Sequence, residues 1–112
     1  MMLSRLNAYR IMWVMVMYDL PMVTDKERKI YSKFRKQMLD DGFMLFQFSL
    51  YLRHCSSREN ADVHINRVKA ILPPEGRIGI FAITDKQFGN IEIFNGKTHT
   101  KHEPTPVQLT LF

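Results

Sequence analysis

Ile11-Met12-Trp13-Val14-Met15-Val16-Met17-Tyr18-Asp19-Leu20-Pro21 is the stretch on which the reading of the chain turns. Eight apolar or aromatic residues run unbroken into one carboxylate, and a proline closes the segment. A run so short, rich in valine and aromatics, predicts a strand buried on both faces. Asp19 falls at its carboxyl end, where open sheets with helical crossovers commonly bind ligands. That placement makes Asp19 the leading functional candidate, as a metal ligand. The competing reading of an acidic residue before Leu-Pro is a turn former or helix cap.

Downstream, Thr24-Asp25-Lys26-Glu27 matches a capping box, with Thr24 and Glu27 each bonding the other's amide. Ile30, Phe34 and Met38 then recur every four residues, which predicts an amphipathic helix ended by Gly42. Its solvent side carries Lys26, Arg28, Lys29, Lys33, Arg35 and Lys36. Residues 43–54 alternate, but both registers are partly apolar. Met44, Phe46, Phe48, Leu50 and Leu52 are expected against the helices, and Phe43, Leu45, Gln47, Ser49, Tyr51 and Arg53 on the other face. Twelve residues exceed a usual strand, so the segment is one bent strand or two joined near Gln47-Phe48-Ser49.

Ser56-Ser57 offers caps for a second helix over Arg58–Leu72, with Ala61, Ile65, Val68 and Leu72 as its buried stripe and Pro73-Pro74 as its stop. Arg77–Asp85 reads as a strand in which Ile78, Ile80 and Ala82 alternate with Gly79, Phe81 and Ile83. A short strand fits 90–94. The order is βαββαβ, an α+β ferredoxin-like sandwich with two helices on one face of an antiparallel sheet. The predicted domain covers 1–94. Residues 95–112 read as polar linker and a strand-like tail built on Val107, Leu109 and Leu111.

The chain has 112 residues, 46% hydrophobic and 24% charged, which bounds it as one globular domain. Sixteen Lys and Arg against eleven Asp and Glu give a net charge of +5, compatible with a nucleic-acid partner. Cys55 is the only cysteine, which excludes an internal disulfide and a cysteine zinc site and fits a reducing cytoplasm. The apolar run after Arg10 falls far short of the roughly 20 residues that span a bilayer. No membrane segment is expected, and the cytoplasm is the expected compartment.

With helices on one side only, the other sheet face is solvated or covered by a partner. The register that points Trp13, Met15 and Met17 to that face points Asp19 there too. Because the face is apolar, a two-fold homodimer is the economical cover, and it brings two copies of Asp19 together. Paired carboxylates repel and recruit a cation. Mg²⁺ needs only one or two of them, with waters and a phosphate completing its shell. Such an ion polarises a phosphodiester for hydrolysis.

Other candidates are weaker. Asp85 closes the second long strand and is either an auxiliary carboxylate or a turn residue. His99 and His102 form a faint H-x-x-H, and His54 and His64 stand alone. Cys55 has no neighbouring base. No Gly-rich phosphate loop or Ser-His-Asp order appears.

Several motifs together resemble one family: Val16-Met17-Tyr18-Asp19-Leu20-Pro21, Gly42-Phe43, Gln47 to Arg53, Ile83-Thr84-Asp85-Lys86-Gln87-Phe88, and the closing Gln108-Leu109-Thr110-Leu111-Phe112. The chain resembles the CRISPR-associated endonucleases that form the small subunit of the spacer-adaptation pair. The resemblance implies a ferredoxin-like homodimer with Asp19 as the metal-binding catalytic residue. It also implies Mg²⁺-dependent phosphodiester cleavage, on single-stranded RNA or double-stranded DNA. A further implication is a partnership with the adaptation integrase, whose dimers the subunit bridges around a DNA duplex. Arg28 fits a basic family position, and Lys29, Lys33, Lys36 and Arg53 are the further nucleic-acid candidates. Leu45 stands where some members carry a basic residue. Three other readings compete: a non-catalytic DNA scaffold for the integrase, a toxin-like ribonuclease acting alone on mRNA, and a small-molecule sensor, which the basic helix disfavours.

Overall fold

The computed structural model describes residues 9–100. Strand β1 spans Met12–Asp19, helix α1 Asp25–Asp40, β2 Met44–Gln47 and β3 Leu50–Cys55. Helix α2 spans Arg58–Ala70, β4 Arg77–Thr84 and a short α3 Asp85–Gly89. A hairpin of β5 (Ile93–Asn95) and β6 (Thr98–Thr100) follows. The main sheet has the order β2-β3-β1-β4 with every neighbour antiparallel, which is the ferredoxin-like arrangement.

β1 is central and, as its apolar run requires, buried continuously from Met12 to Val16. Its even-numbered residues Met12, Val14, Val16 and Tyr18 meet Phe34 and Met38 of α1 and Ala61 and Val68 of α2. Its odd-numbered residues Trp13 and Met15 join Leu52 and Phe88 in a second cluster on the other face. The capping box starts α1: Thr24 Oγ1 accepts from the Glu27 amide at 3.1 Å, and the Thr24 amide donates to Glu27 Oε1 at 2.9 Å. The chain leaves the helix through Gly42 at φ +92°, a conformation that favours glycine.

Of the two alternatives open for residues 43–54 the two-strand form is present, and four other expectations are corrected. Residues 43–54 are two strands joined at Phe48-Ser49, with Ser49 at φ +61°, and their faces are the reverse of the expected ones. Tyr51, Phe43 and Cys55 lie under the helices, whereas Phe46, Leu50 and Leu52 lie on the far face. The reason is that the Tyr51 ring completes an aromatic stack under α1 and its hydroxyl still reaches Arg35, whose Nε donates at 3.1 Å. Helix α2 stops at Ala70, so Leu72 is exposed and His64 takes a buried place in the stripe.

Asp85 does not close a strand; it opens α3, whose own capping box pairs Thr84 with Gln87. Residues 95–100 form part of the β5–β6 hairpin rather than polar linker. The lead-in before Tyr9, His102 and the strand-like tail at Val107–Phe112 lie outside the described residues.

Helix α3 also changes the expected open face. Phe88 is fully buried and stacks on Trp13 with centroids 4.3 Å apart. The chain therefore covers one end of that face itself. At the other end Met17 is 46% and Phe81 40% exposed.

Candidate active site at the end of the first strand

Asp19 is the last residue of β1, and its side chain is exposed on the face away from the helices, opposite to the buried Tyr18. The alternation seen in the sequence thus places Trp13, Met15, Met17 and Asp19 on one face. The carboxylate lies at the end that α3 leaves open.

Three contacts fix its backbone. The Tyr18 amide donates to Ser49 O at 3.0 Å, tying the β2–β3 turn to the residue before Asp19. The Tyr18 ring stands edge-on to Phe34 with centroids 5.1 Å apart and stacks on Tyr51 at 5.4 Å. Behind Asp19, Gly76 sits at φ +101°, where a Cβ would lie 2.5 Å from Leu20 Cδ2 and 2.8 Å from Asp19 O. Only a glycine lets the α2–β4 turn pass this close. Burial, with Tyr51 beside it, pushes the Tyr18 phenol well above its ordinary pKa, so Tyr18 is a neutral packing group.

The site is a shallow concavity of about 430 Å³, with Asp19, Gln47, Phe48, Ser49 and Arg77 on its walls. Arg77 is the Cα partner of Asp19 across the β1–β4 pair. Phe48, at the tip of the turn, is 89% exposed. Sequence reasoning did not connect Arg77 or Phe48 with Asp19. The signal available was that a pairing of two eight-residue strands brings the first residue of β4 to the last of β1.

Among the described residues, no three His, Cys, Asp or Glu side chains converge as a metal cluster. Asp85 supplies no second ligand. It lies eight residues along the sheet, level with Ile11 and roughly 26 Å away, and its Oδ1 accepts from Trp13 Nε1 at 2.7 Å. Among the described residues one chain therefore offers Asp19 alone at this site. That donor set fits a hard, water-rich cation held by one carboxylate, or by two from two copies, and does not fit a closed zinc-type site.

The expected nucleic-acid residues are not gathered at Asp19. Arg28 Nη1 donates to Met22 O at 3.2 Å and Val23 O at 2.8 Å, and Arg28 also pairs with Asp25. It braces the loop that follows Asp19. Arg53 Nε donates to Asp41 O at 2.8 Å and Nη1 to His54 O at 2.6 Å, with its guanidinium lying over Gly42. Lys36 pairs with Asp40 at 3.2 Å. Lys29 and Lys33 are exposed and have no ion pair among the described residues. All of α1 packs on the sheet face opposite to the Asp19 side chain.

A second polar cluster joins α1 to α2. His64 Nδ1 and Arg67 Nη1 each lie 2.8 Å from an oxygen of Asp41. Burial raises the Asp41 pKa, but the bonds to His64 and Arg67 outweigh it and hold the carboxyl below its ordinary value. His64, isolated in sequence, is thus a partner of the α1 C-cap.

Fold and site define a small ferredoxin-like α+β domain with an exposed strand-end carboxylate and no membrane-spanning helix among its described residues. The sequence pattern of the family described as CRISPR associated protein Cas2 matches residues 12–91. The chain is 55% identical over 109 residues to a CRISPR-associated endoribonuclease Cas2 of Flavobacterium psychrophilum, covering 97% of this chain and 95% of that protein. A protein of the same description from Parvibaculum lavamentivorans is 48% identical over 101 residues, covering 90% and 100%. One from Paracidovorax avenae is 42% identical over 107 residues, covering 96% and 99%. The chain belongs to the Cas2 family of CRISPR-associated proteins.

Proposed function

We propose that this chain is a CRISPR adaptation subunit that acts as a homodimer and cleaves phosphodiesters with Mg²⁺ through Asp19 paired across the two-fold. The observation that carries the reading is the exposed Asp19 at the end of an apolar face that α3 covers only in part. The exposed Met17 and Phe81 extend that face beside the carboxylate. A second copy seated there buries both and puts a second Asp19 near the first. Two carboxylates are enough for Mg²⁺, which when bound supplies Lewis acidity at the phosphodiester. Tyr18, Gly76 and the Ser49 carbonyl fix the course of the backbone that presents Asp19. The names of the relatives support RNA as a substrate.

The same subunit binds duplex DNA and bridges the integrase dimers during spacer acquisition. Lys29 and Lys33 support this part of the reading, being exposed cations on the outer side of α1 without an ion pair among the described residues. They face away from the Asp19 side, so cleavage and duplex holding use different surfaces. A non-catalytic scaffold is the second reading, favoured by the lack of a multi-residue metal cluster within one described chain. A paired assay separates them. Asp19→Asn abolishes Mg²⁺-dependent cleavage in the first reading. In the second, wild type does not cleave and the variant supports spacer integration unchanged.

A further inference from the structure

Phe48 is a large apolar ring in an unusual place. It occupies the tip of a tight turn, is 89% exposed and makes no ring contact in the described chain. A ring so exposed contributes almost nothing to the core, and turns ordinarily carry polar or small residues. Yet the turn is not loose. Ser49 adopts φ +61°, and its carbonyl accepts from the Tyr18 amide at 3.0 Å. One hydrogen bond and two peptide units therefore connect Phe48 to Asp19. Both lie on the wall of the same concavity.

The third member is Arg77. It stands opposite Asp19 in the β1–β4 register, which puts both side chains on one face, and it is exposed without an ion pair in the described chain. Gly76 forces this placement by letting the preceding turn close on Asp19 O. The concavity thus holds a carboxylate, an uncommitted guanidinium and an unburied aromatic ring. Those are the groups that meet a cation, a phosphate and a base face.

We propose that Phe48 and Arg77 are the substrate-positioning residues of the Asp19 site. Phe48 stacks on the base of an unpaired nucleotide, and Arg77 holds the phosphate next to it. The inference rests on the nuclease reading of Asp19 and adds to it what keeps the strand in register with the carboxylate. A base inside a duplex has both faces stacked already, so Phe48 discriminates in favour of unpaired strands. Arg77 is indifferent to the base and acts on RNA and DNA alike. It also lessens the repulsion between the substrate phosphate and Asp19.

The test is binding, read separately from cleavage. Labelled single-stranded RNA, single-stranded DNA and duplex DNA are titrated without divalent cation, and the oligomeric state is followed by sedimentation. Phe48→Ala is expected to weaken single-strand binding by on the order of tenfold and to leave the duplex nearly unchanged. Phe48→Trp restores it, whereas Phe48→Leu, equally apolar but without a π-face, does not. Arg77→Gln weakens both single strands and lowers the salt slope of log K by roughly 0.7, the loss of one phosphate contact.

In the Mg²⁺ assay the Phe48 variants raise KM more than they lower kcat. Unchanged affinity in Phe48→Ala and Arg77→Gln overturns the proposal. So does a Phe48→Ala chain that shifts to monomer while each folded molecule binds as before, since the ring then belongs to the dimer interface. Full cleavage by Asp19→Asn would instead sink the nuclease reading and leave the Phe48 binding result standing.

Discussion

Asp19 and Arg77 stand opposite each other in the last register of the β1–β4 pair, on one face of the sheet, without forming an ion pair within the described chain. A carboxylate and a guanidinium this close that do not neutralise each other both remain available to a ligand. Their mutual placement depends on Gly76, which leads to the first prediction.

Gly76→Ala places a Cβ 2.5 Å from Leu20 Cδ2 and 2.8 Å from Asp19 O, at φ +101°. Strain in that region costs of order 1–3 kcal/mol, and the backbone collision adds to it. Gly96→Ala is the control, since Gly96 has φ +64° but nothing within 4 Å of its would-be Cβ. In urea melts Gly76→Ala should lose more stability than Gly96→Ala, and it alone should disturb cleavage.

Trp13 is the only tryptophan and reports on α3 directly. Phe88 stacks on it, and Asp85 Oδ1 accepts its indole N–H at 2.7 Å. Removing a fully buried Phe costs about 3–5 kcal/mol. Phe88→Ala should lower stability by that order and shift Trp13 emission to the red. Asp85→Asn should shift the emission with a smaller loss.

Three groups with lowered folded pKa values contribute to the pH dependence of stability on its acid side: the Glu27 carboxylate, which accepts from the Thr24 and Val23 amides, Asp41 and His54. Asp41 has its folded pKa held below the ordinary value, so its contribution is complete above the unfolded pKa of about 3.9 and is lost as pH falls below that. His54 has its pKa lowered, by burial first and then by Arg53, with Asp85 opposing. Its neutral form is the folded one, so stability begins to fall as pH drops through about 6.5. Denaturation followed from pH 8 to 3 should show a shallow decline beginning near neutrality and a steeper one below pH 4. His54→Gln should remove the first, and Asp41→Asn should reduce the second, leaving the share of Glu27.

The basic residues divide into braces and free charges. Arg53 donates to the Asp41 and His54 carbonyls, so Arg53→Gln should cost about 1–2 kcal/mol in stability. Lys29→Glu with Lys33→Glu should leave stability within about 0.5 kcal/mol, because these side chains are exposed and unpaired among the described residues. Duplex DNA affinity of the double variant should fall, with a shallower salt dependence. Unchanged affinity would remove α1 from the DNA surface.

What the sequence made legible and what it hid follow from one physical distinction. β1, the Thr24 capping box and the Gly42 stop were readable because each is a local pattern whose cause lies within a few residues. The alternation that put Asp19 with Trp13 and Met17 is local as well. The faces of β2 and β3 were not readable, since both registers are apolar and the choice depends on the stack that Tyr51 completes with Tyr18. Helix α3 was hidden because Thr84-Asp85-Lys86-Gln87 follows a strand pattern without a break, and its cap shows only once the strand has ended. Arg53 read as a free charge because its acceptors are backbone carbonyls, which no residue type announces, and Arg28 shares that trait while also pairing with Asp25 three residues before it. Arg77 joined Asp19 only through the register of two strands nearly sixty residues apart.

The most direct test of the central claim is the Mg²⁺-dependent cleavage rate of Asp19→Asn beside wild type, on labelled single-stranded RNA and duplex DNA. Asparagine keeps the size and polarity of an exposed strand-end residue and removes only the charge that holds the ion. Wild type is expected to cleave with Mg²⁺ and to stop with chelator, while the variant stays folded and dimeric and cleaves at background. A variant that cleaves at the wild-type rate would contradict it.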